Sequence, residues 1–259
     1  MTPGFIEQGK GGTPLLFLHG IGGSAESYRG QLDHFGASRH TLAWIMPGYS
    51  GTPSPAEPTF PAFADAVLRL LDAADLHRVH LVGHSLGGFI ALELAARGTG
   101  RLASLTLYST TAAFGRPDGE WQRQFIAERL APLAAGRSMR EIATGLVDGL
   151  ISPRASASAR AAAIAAMAAV PAAAYRAALH LLVTFDRRDT LPHLAVPTLL
   201  IAGAEDRTAP APVMQRMAEK IPGAEIVVLD GVGHLAHVEA PQSFDRALGA
   251  FLDRVEKRS

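Results

Sequence analysis

Gly83-His84-Ser85-Leu86-Gly87 is the stretch of this 259-residue chain with the clearest capacity for covalent chemistry. A serine hydroxyl is a poor nucleophile until its backbone presents it and a neighbouring base removes its proton, and the G-x-S-x-G spacing does the presenting. A turn tight enough to push the serine out of a strand end leaves no room for side chains two residues away on either side, which favours glycine there. Five letters alone are weak, because Gly and Ser also build ordinary loops. Their setting strengthens them: residues 79–82 read as a buried strand and residues 88–97 as a helix. A serine so placed needs a base, an acid to hold that base, and donors for the negative charge that develops on an attacked acyl oxygen.

Candidates for each stand at the ends of other apolar runs. Leu15-Leu16-Phe17-Leu18, uniformly apolar like a strand covered on both faces, runs into His19-Gly20-Ile21-Gly22-Gly23-Ser24. Glycines there let backbone amides turn toward a ligand, and the amide of Ile21 is the expected donor, with His19 ordering the loop. Residues 42–46 and 102–108 read as further strands, and residues 60–74 carry the apolar spacing of an amphipathic helix. Residues 196–202 close on Gly203-Ala204-Glu205-Asp206-Arg207, and residues 226–229 lead into Asp230-Gly231-Val232-Gly233-His234. Ser85, Asp206 and His234 thus follow three strands in that order, and loops at the carboxyl ends of parallel strands converge on one crevice. Three alternatives stay open: Glu205 as the acid, Asp206 as a mere turn cap, and His237 in place of His234. His77 and His80 straddle a strand start with no carboxylate or thiol nearby, so no metal site is expected.

The alternation of strands and helices predicts an α/β fold, a mostly parallel central sheet flanked by helices. The rhythm breaks between about Thr110 and Asp189, where only helical patterns occur, among them residues 121–133 and 139–150. In residues 155–178, 15 of 24 are alanine, which favours helix, and Pro171 should split that stretch in two. We read residues 111–189 as a helical cap inserted after the sixth strand, over a core of residues 1–110 and 190–259. A lateral helical appendage is the alternative.

Composition narrows the classes. With 48% hydrophobic and 19% charged residues the chain holds enough apolar material for a large core. Lys plus Arg and Asp plus Glu are balanced at 24 each, so no net field draws it to nucleic acid or an anionic membrane. The absence of cysteine rules out disulfides and thiolate chemistry. Neither a basic-then-apolar leader nor a run of membrane-spanning length is evident, so a cytoplasmic location is expected. Nothing in the sequence sets an oligomeric state.

The chain resembles the α/β-hydrolase superfamily, on His19-Gly20, Gly83-His84-Ser85-Leu86-Gly87-Gly88, Gly203-Ala204-Glu205-Asp206-Arg207 and Gly233-His234-Leu235-Ala236-His237-Val238-Glu239-Ala240-Pro241. The resemblance implies a cofactor-independent serine hydrolase: Ser85 as nucleophile, His234 as base, Asp206 as the acid that orients it, and the amides of Leu86 and Ile21 as oxyanion donors. Ser109-Thr110-Thr111-Ala112-Ala113-Phe114-Gly115 followed by Trp121 is similar to the cap entry of 3-oxoadipate enol-lactonases, which points to a small ester or lactone as substrate. Two positions depart from related hydrolases, which usually carry an acidic residue where this chain has Ile45 and a glycine where it has Ser50. Expected pocket walls are Ile21, His84, Leu86, Trp121 and Leu235, with Arg116, Arg123 and Arg129 available to an anionic substrate; Asp118 is too far into the cap entry to be the preferred acid. The same residues could instead cleave carbon-carbon bonds or pass the acyl group to an alcohol or peroxide, and a binding protein that has lost turnover is the non-enzymatic alternative.

Overall fold

A computed structural model describes residues 4–115 and 119–258. Seven strands form one sheet: β1 (Phe5–Gln8), β2 (Leu15–Leu18), β3 (Thr41–Trp44), β4 (Val79–His84), β5 (Leu102–Tyr108), β6 (Thr198–Gly203) and β7 (Glu225–Leu229). Their order is β1-β3-β2-β4-β5-β6-β7, antiparallel only at the β1–β3 edge. The reversal between β3 and β4, on either side of β2, opens a crevice at the carboxyl ends of the central strands.

Side chains alternate across β2, so Leu15 and Phe17 enter the apolar cluster on one face while Leu16 and Leu18 enter the cluster on the other. Two helices, α1 (Arg29–Gly36) and α10 (Pro241–Glu256), cover the first face through Leu32, Phe35, Phe244 and Leu248. The second is covered by α2 (Phe60–Ala73), α3 (Leu86–Ala96) and α8 (Ala211–Ala218). Every residue of α3 from Leu86 to Leu94 is buried, as its all-round apolar sequence requires. At roughly 1.5–3 kcal/mol for each large apolar side chain removed from water, this helix holds the turn before it firmly in place.

Among the described residues four α-helices lie between β5 and β6: α4 (Glu120–Ala134), α5 (Met139–Leu150), α6 (Ala157–Ala168) and α7 (Ala172–Leu182). Pro171 caps the start of α7 and splits the alanine-rich stretch, as its lack of an N–H demands. The segments entering and leaving this region are tied together by Phe114 N–H to Phe185 O (3.0 Å) and Arg187 N–H to Ala112 O (2.8 Å). A buried Glu93 on α3 anchors the exit through Arg187 at 2.7 Å. The four helices sit over the crevice as a cap rather than as a lateral appendage, since α4 through α7 all contribute to the roof of the cavity above Ser85. The insertion follows the fifth strand, not the sixth: the chain before β2 supplies only one edge strand, so one strand fewer precedes the cap.

Among the described residues no single helix is long and apolar enough to cross a membrane. The two departures noted in sequence have distinct consequences. Ile45 is partly buried and packs against the apolar residues of both clusters. Ser50 has φ of +46°, the left-handed region that glycine occupies at little cost.

Candidate active site

Ser85 lies between the last residue of β4 and the first of α3, with φ of 51° and ψ of −116°. A non-glycine residue there costs on the order of 1–3 kcal/mol, and the surroundings hold it in place. Its N–H donates to Tyr108 O (3.2 Å), and Thr110 Oγ1 donates to its carbonyl (2.8 Å). A Cβ on Gly83 would stand 2.6 Å from the Gly87 carbonyl oxygen, and one on Gly87 would run into the carbonyl of Leu18. The glycine spacing is therefore steric, as expected from the sequence.

His234 Nδ1 donates to Asp206 Oδ2 at 2.8 Å, and both side chains are buried. Asp206 Oδ1 accepts from the amides of Thr208 (2.8 Å) and Ala209 (2.9 Å). Burial pushes the Asp206 carboxyl up, but the adjacent imidazole and the two amides outweigh it and hold the group below the ordinary carboxylate value. The rivals are engaged elsewhere. Glu205 accepts from Ser152 Oγ (2.6 Å) and pairs with Arg154 (2.7 Å), while Nδ1 of His237 bonds to the Tyr108 hydroxyl (3.0 Å).

His237 belongs to a buried layer beneath the site. Tyr28 and Tyr108 share a hydroxyl–hydroxyl bond of 2.7 Å, Tyr28 stacks on His237, and Tyr108 stacks on His84. Nε2 of His84 donates to the carbonyl of His234 (2.9 Å), so His84 both lines the cavity and steadies the backbone of His234. Burial lowers the imidazoles of His84 and His237, the latter to about 3, which keeps this layer neutral.

Sequence reasoning missed Glu239. Its Oε2 accepts from the amides of Ser152 (2.7 Å) and Gly233 (2.9 Å), and its Oε1 from Leu235 (2.8 Å). His234 N–H donates to Leu150 O (2.7 Å), so three consecutive amides around His234 are pinned, two by this carboxylate and one by the cap. The available signal was its place five residues after His234 in the Gly-His…Glu-Ala-Pro stretch. Ser109 was also missed as a site residue. It lines the cavity with φ of 48°, and its buried hydroxyl has no hydrogen-bond partner among the described residues.

The Ile21 loop is built around one peptide. Gly20 O accepts from His19 Nδ1–H (2.9 Å) and from Gly23 N–H (3.0 Å). In a trans peptide C=O and N–H point opposite ways, so anchoring this carbonyl aims the Ile21 N–H in the other direction. His19 Nε2 in turn accepts from Met46 N–H (3.2 Å), and the Tyr49 hydroxyl donates to Ile21 O (2.9 Å). Burial lowers His19 to about 4, so it serves as a neutral link with one donor and one acceptor nitrogen. Neither the Ile21 nor the Leu86 amide has an acceptor among the described residues.

Ser85, His234, His84, Ile21 and Leu235 all line one cavity of about 940 Å³, measured with its open mouth. Phe125, Val147, Met167, Tyr175 and Leu179 form the cap side of its wall. Two expected wall residues are placed otherwise. Leu86 is wholly buried beneath the elbow, because its side chain begins α3 and points into the core, and only its amide is available. Trp121 is 58% exposed and stacks on the outside of Phe125, which lines the cavity in its stead. Of the three arginines considered, Arg129 lines the cavity, Arg123 does not, and Arg116, like Asp118, lies outside the described residues.

Residues 13–241 match the alpha/beta hydrolase fold family, and the chain belongs to that family. It is similar to a candidate carbamate hydrolase, RutD, of Azorhizobium caulinodans, at 30% identity over 95% of this chain and 93% of the relative. Among solved structures, a thermophilic esterase from Thermogutta terrifontis, with malate bound, superposes with a TM-score of 0.86 at 26% identity, covering 97% of this chain and 93% of that one. The enol-lactonase from Burkholderia xenovorans shares the fold with a TM-score of 0.84 at 22% identity, covering 96% of each chain.

Proposed function

We propose that this protein is a serine hydrolase that cleaves a small carboxylic ester or lactone through an acyl-enzyme at Ser85. The observation that carries the reading is the Asp206–His234 pair at 2.8 Å opening onto the cavity that also holds the strained Ser85. Ser85 Oγ attacks the acyl carbon while His234 Nε2 takes its proton, and Asp206 accepts the Nδ1–H and stabilises the imidazolium. The amides of Ile21 and Leu86 donate to the oxyanion, aided by the N-terminal dipole of α3. His234 then protonates the departing alcohol oxygen, and a water deprotonated by the same imidazole releases the acid.

The relative of A. caulinodans favours a second reading, in which the attacked carbon is that of a carbamate; the same residues serve, since a carbamate carbon is also attacked through an oxyanion. Both are tested with a panel of short p-nitrophenyl esters, lactones and carbamates, comparing wild type with Ser85→Ala and following covalent labelling by a fluorophosphonate. Turnover and labelling that vanish together in the variant support the assignment. Equal hydrolysis by both proteins refutes it.

A further inference from the structure

The cavity wall holds one permanently charged side chain, Arg129 on α4, and no carboxylate among the described lining residues. Four other arginines of this region pair with carboxylates, Arg154 with Glu205 and Asp230, Arg160 with Asp148, Arg187 with Glu93 and Arg188 with Asp186, and none of them lines the cavity. Arg129 has no ion-pair partner among the described residues and rests over the Phe125 ring, 5.3 Å from its centroid. A cation–aromatic contact holds a guanidinium in position while leaving its N–H donors free for a planar anion.

Tyr175 on α7 supplies the second observation. It is only 2% exposed, it lines the same cavity, and its hydroxyl has no hydrogen-bond partner among the described residues. A hydroxyl that lines a cavity and has no protein partner is free to donate to a polar ligand group. Helices α4 and α7 pack on each other, which brings Arg129 and Tyr175 to one side of the cavity; burial raises the Tyr175 phenol while the Arg129 charge pulls it the other way.

We propose that Arg129 and Tyr175 form a subsite in the cap for a carboxylate carried on the part of the substrate remote from the reacting carbonyl. Arg129 meets the carboxylate with two parallel N–H bonds and Tyr175 donates a third. A single guanidinium in a lining with no other fixed charge among the described residues suits one negative charge, since a second would have no opposite charge to meet it. The natural substrate is then an anionic ester, lactone or carbamate rather than a neutral one. This rests on the reading of Ser85 as the nucleophile, because that reading makes the cavity an acyl pocket.

Binding separates the two ideas. In calorimetry with Ser85→Ala, monomethyl adipate should bind at least about 10-fold more tightly than methyl hexanoate, which has the same acyl chain length but carries no carboxylate. That preference should collapse on adding Arg129→Gln, weaken severalfold with Tyr175→Phe, and survive in part with Arg129→Lys. Equal affinities for the two esters, or a preference that persists without Arg129, would overturn the subsite. In turnover, the kcat/KM ratio of mono-p-nitrophenyl adipate to p-nitrophenyl hexanoate should fall by the same factor in Arg129→Gln, through KM rather than kcat. An unchanged ratio in a folded variant, checked by its thermal midpoint, also counts against it. If no ester is hydrolysed yet monomethyl adipate is preferred through Arg129, the hydrolase reading fails and the anion subsite stands.

Discussion

The two walls of the cavity are made of different material. On the sheet side, the main chain at Ser85, Ile21 and His234 is fixed by hydrogen bonds in the loops: Thr110 and Tyr108 on the elbow, His19 and Tyr49 on the Ile21 loop, Glu239 and Leu150 around His234. On the cap side, residues such as Val147, Ala163, Met167 and Leu179 meet the cavity through apolar contact, with Arg129 and Tyr175 as the polar exceptions. Directional bonds hold atoms to a fraction of an ångström, whereas apolar packing tolerates exchange of residues of similar volume. On the proposed reading, chemistry belongs to the sheet wall and selection to the cap wall.

Substitutions should separate the walls by size and kind of effect. Ser85→Ala is expected to lower kcat by a factor on the order of 10⁶ with the fold intact, measured with a chromogenic ester beside a thermal melt. A loss of only a few-fold would move the nucleophile elsewhere. Next comes His19→Ala, which frees the Gly20–Ile21 peptide to rotate; loss of one oxyanion donor corresponds to roughly 10²–10³-fold in kcat with little change in KM. An effect on KM alone would return His19 to a purely architectural part.

Glu239→Gln should act on both stability and rate. A glutamine oxygen can keep the Ser152 and Gly233 amides, but its NH₂ would then face the Leu235 N–H, leaving a buried donor unpaired at about 1–3 kcal/mol. A thermal midpoint that does not move would show the clamp to be slack. The displaced His234 loop should lower kcat by about 10-fold up to 10²-fold, the scale of a small misplacement of a reacting group.

Acid should loosen the sheet wall first. His19 and His237 take up protons in the fold only at about 4 and about 3, against 6.5 when unconstrained. Between those values the unfolded chain binds protons that the folded one refuses, so stability is complete above about 6.5 and falls as the pH drops toward 4. Each such imidazole contributes about 1.4 kcal/mol per pH unit across its window. Asp206, held below its ordinary value, adds a loss in the same direction at lower pH, since its stabilising contribution disappears on protonation. Denaturant titrations at several pH values test the slope; His237→Gln should flatten it, and an unchanged slope would contradict the assignment. The smallest effect belongs to Trp121→Ala, which removes an exposed ring stacked outside the cavity: about 1 kcal/mol of stability at most, with no shift in acyl-chain preference.

Much of the sheet wall was legible in the linear chain, because local sterics and short-range periodicity determine it. Gly83 and Gly87 mark the elbow since no Cβ fits at either place, the apolar runs of β2 and β4 mark strands covered on both faces, and Pro171 marks the break between α6 and α7. The order of Ser85, Asp206 and His234 at three strand ends was likewise readable, since parallel strands bring their carboxyl-end loops together. Only the tertiary structure distinguished His234 from His237 as the partner of Asp206, because both imidazoles stand within one short segment and their partners come from elsewhere, Asp206 after β6 for the first, Tyr108 of β5 and Tyr28 before α1 for the second. It alone placed Glu239 as the clamp, put Trp121 outside the cavity and Arg129 inside, and set the cap after the fifth strand. Those outcomes depend on how helices pack across long sequence separations, and no local preference encodes which face of α4 turns inward.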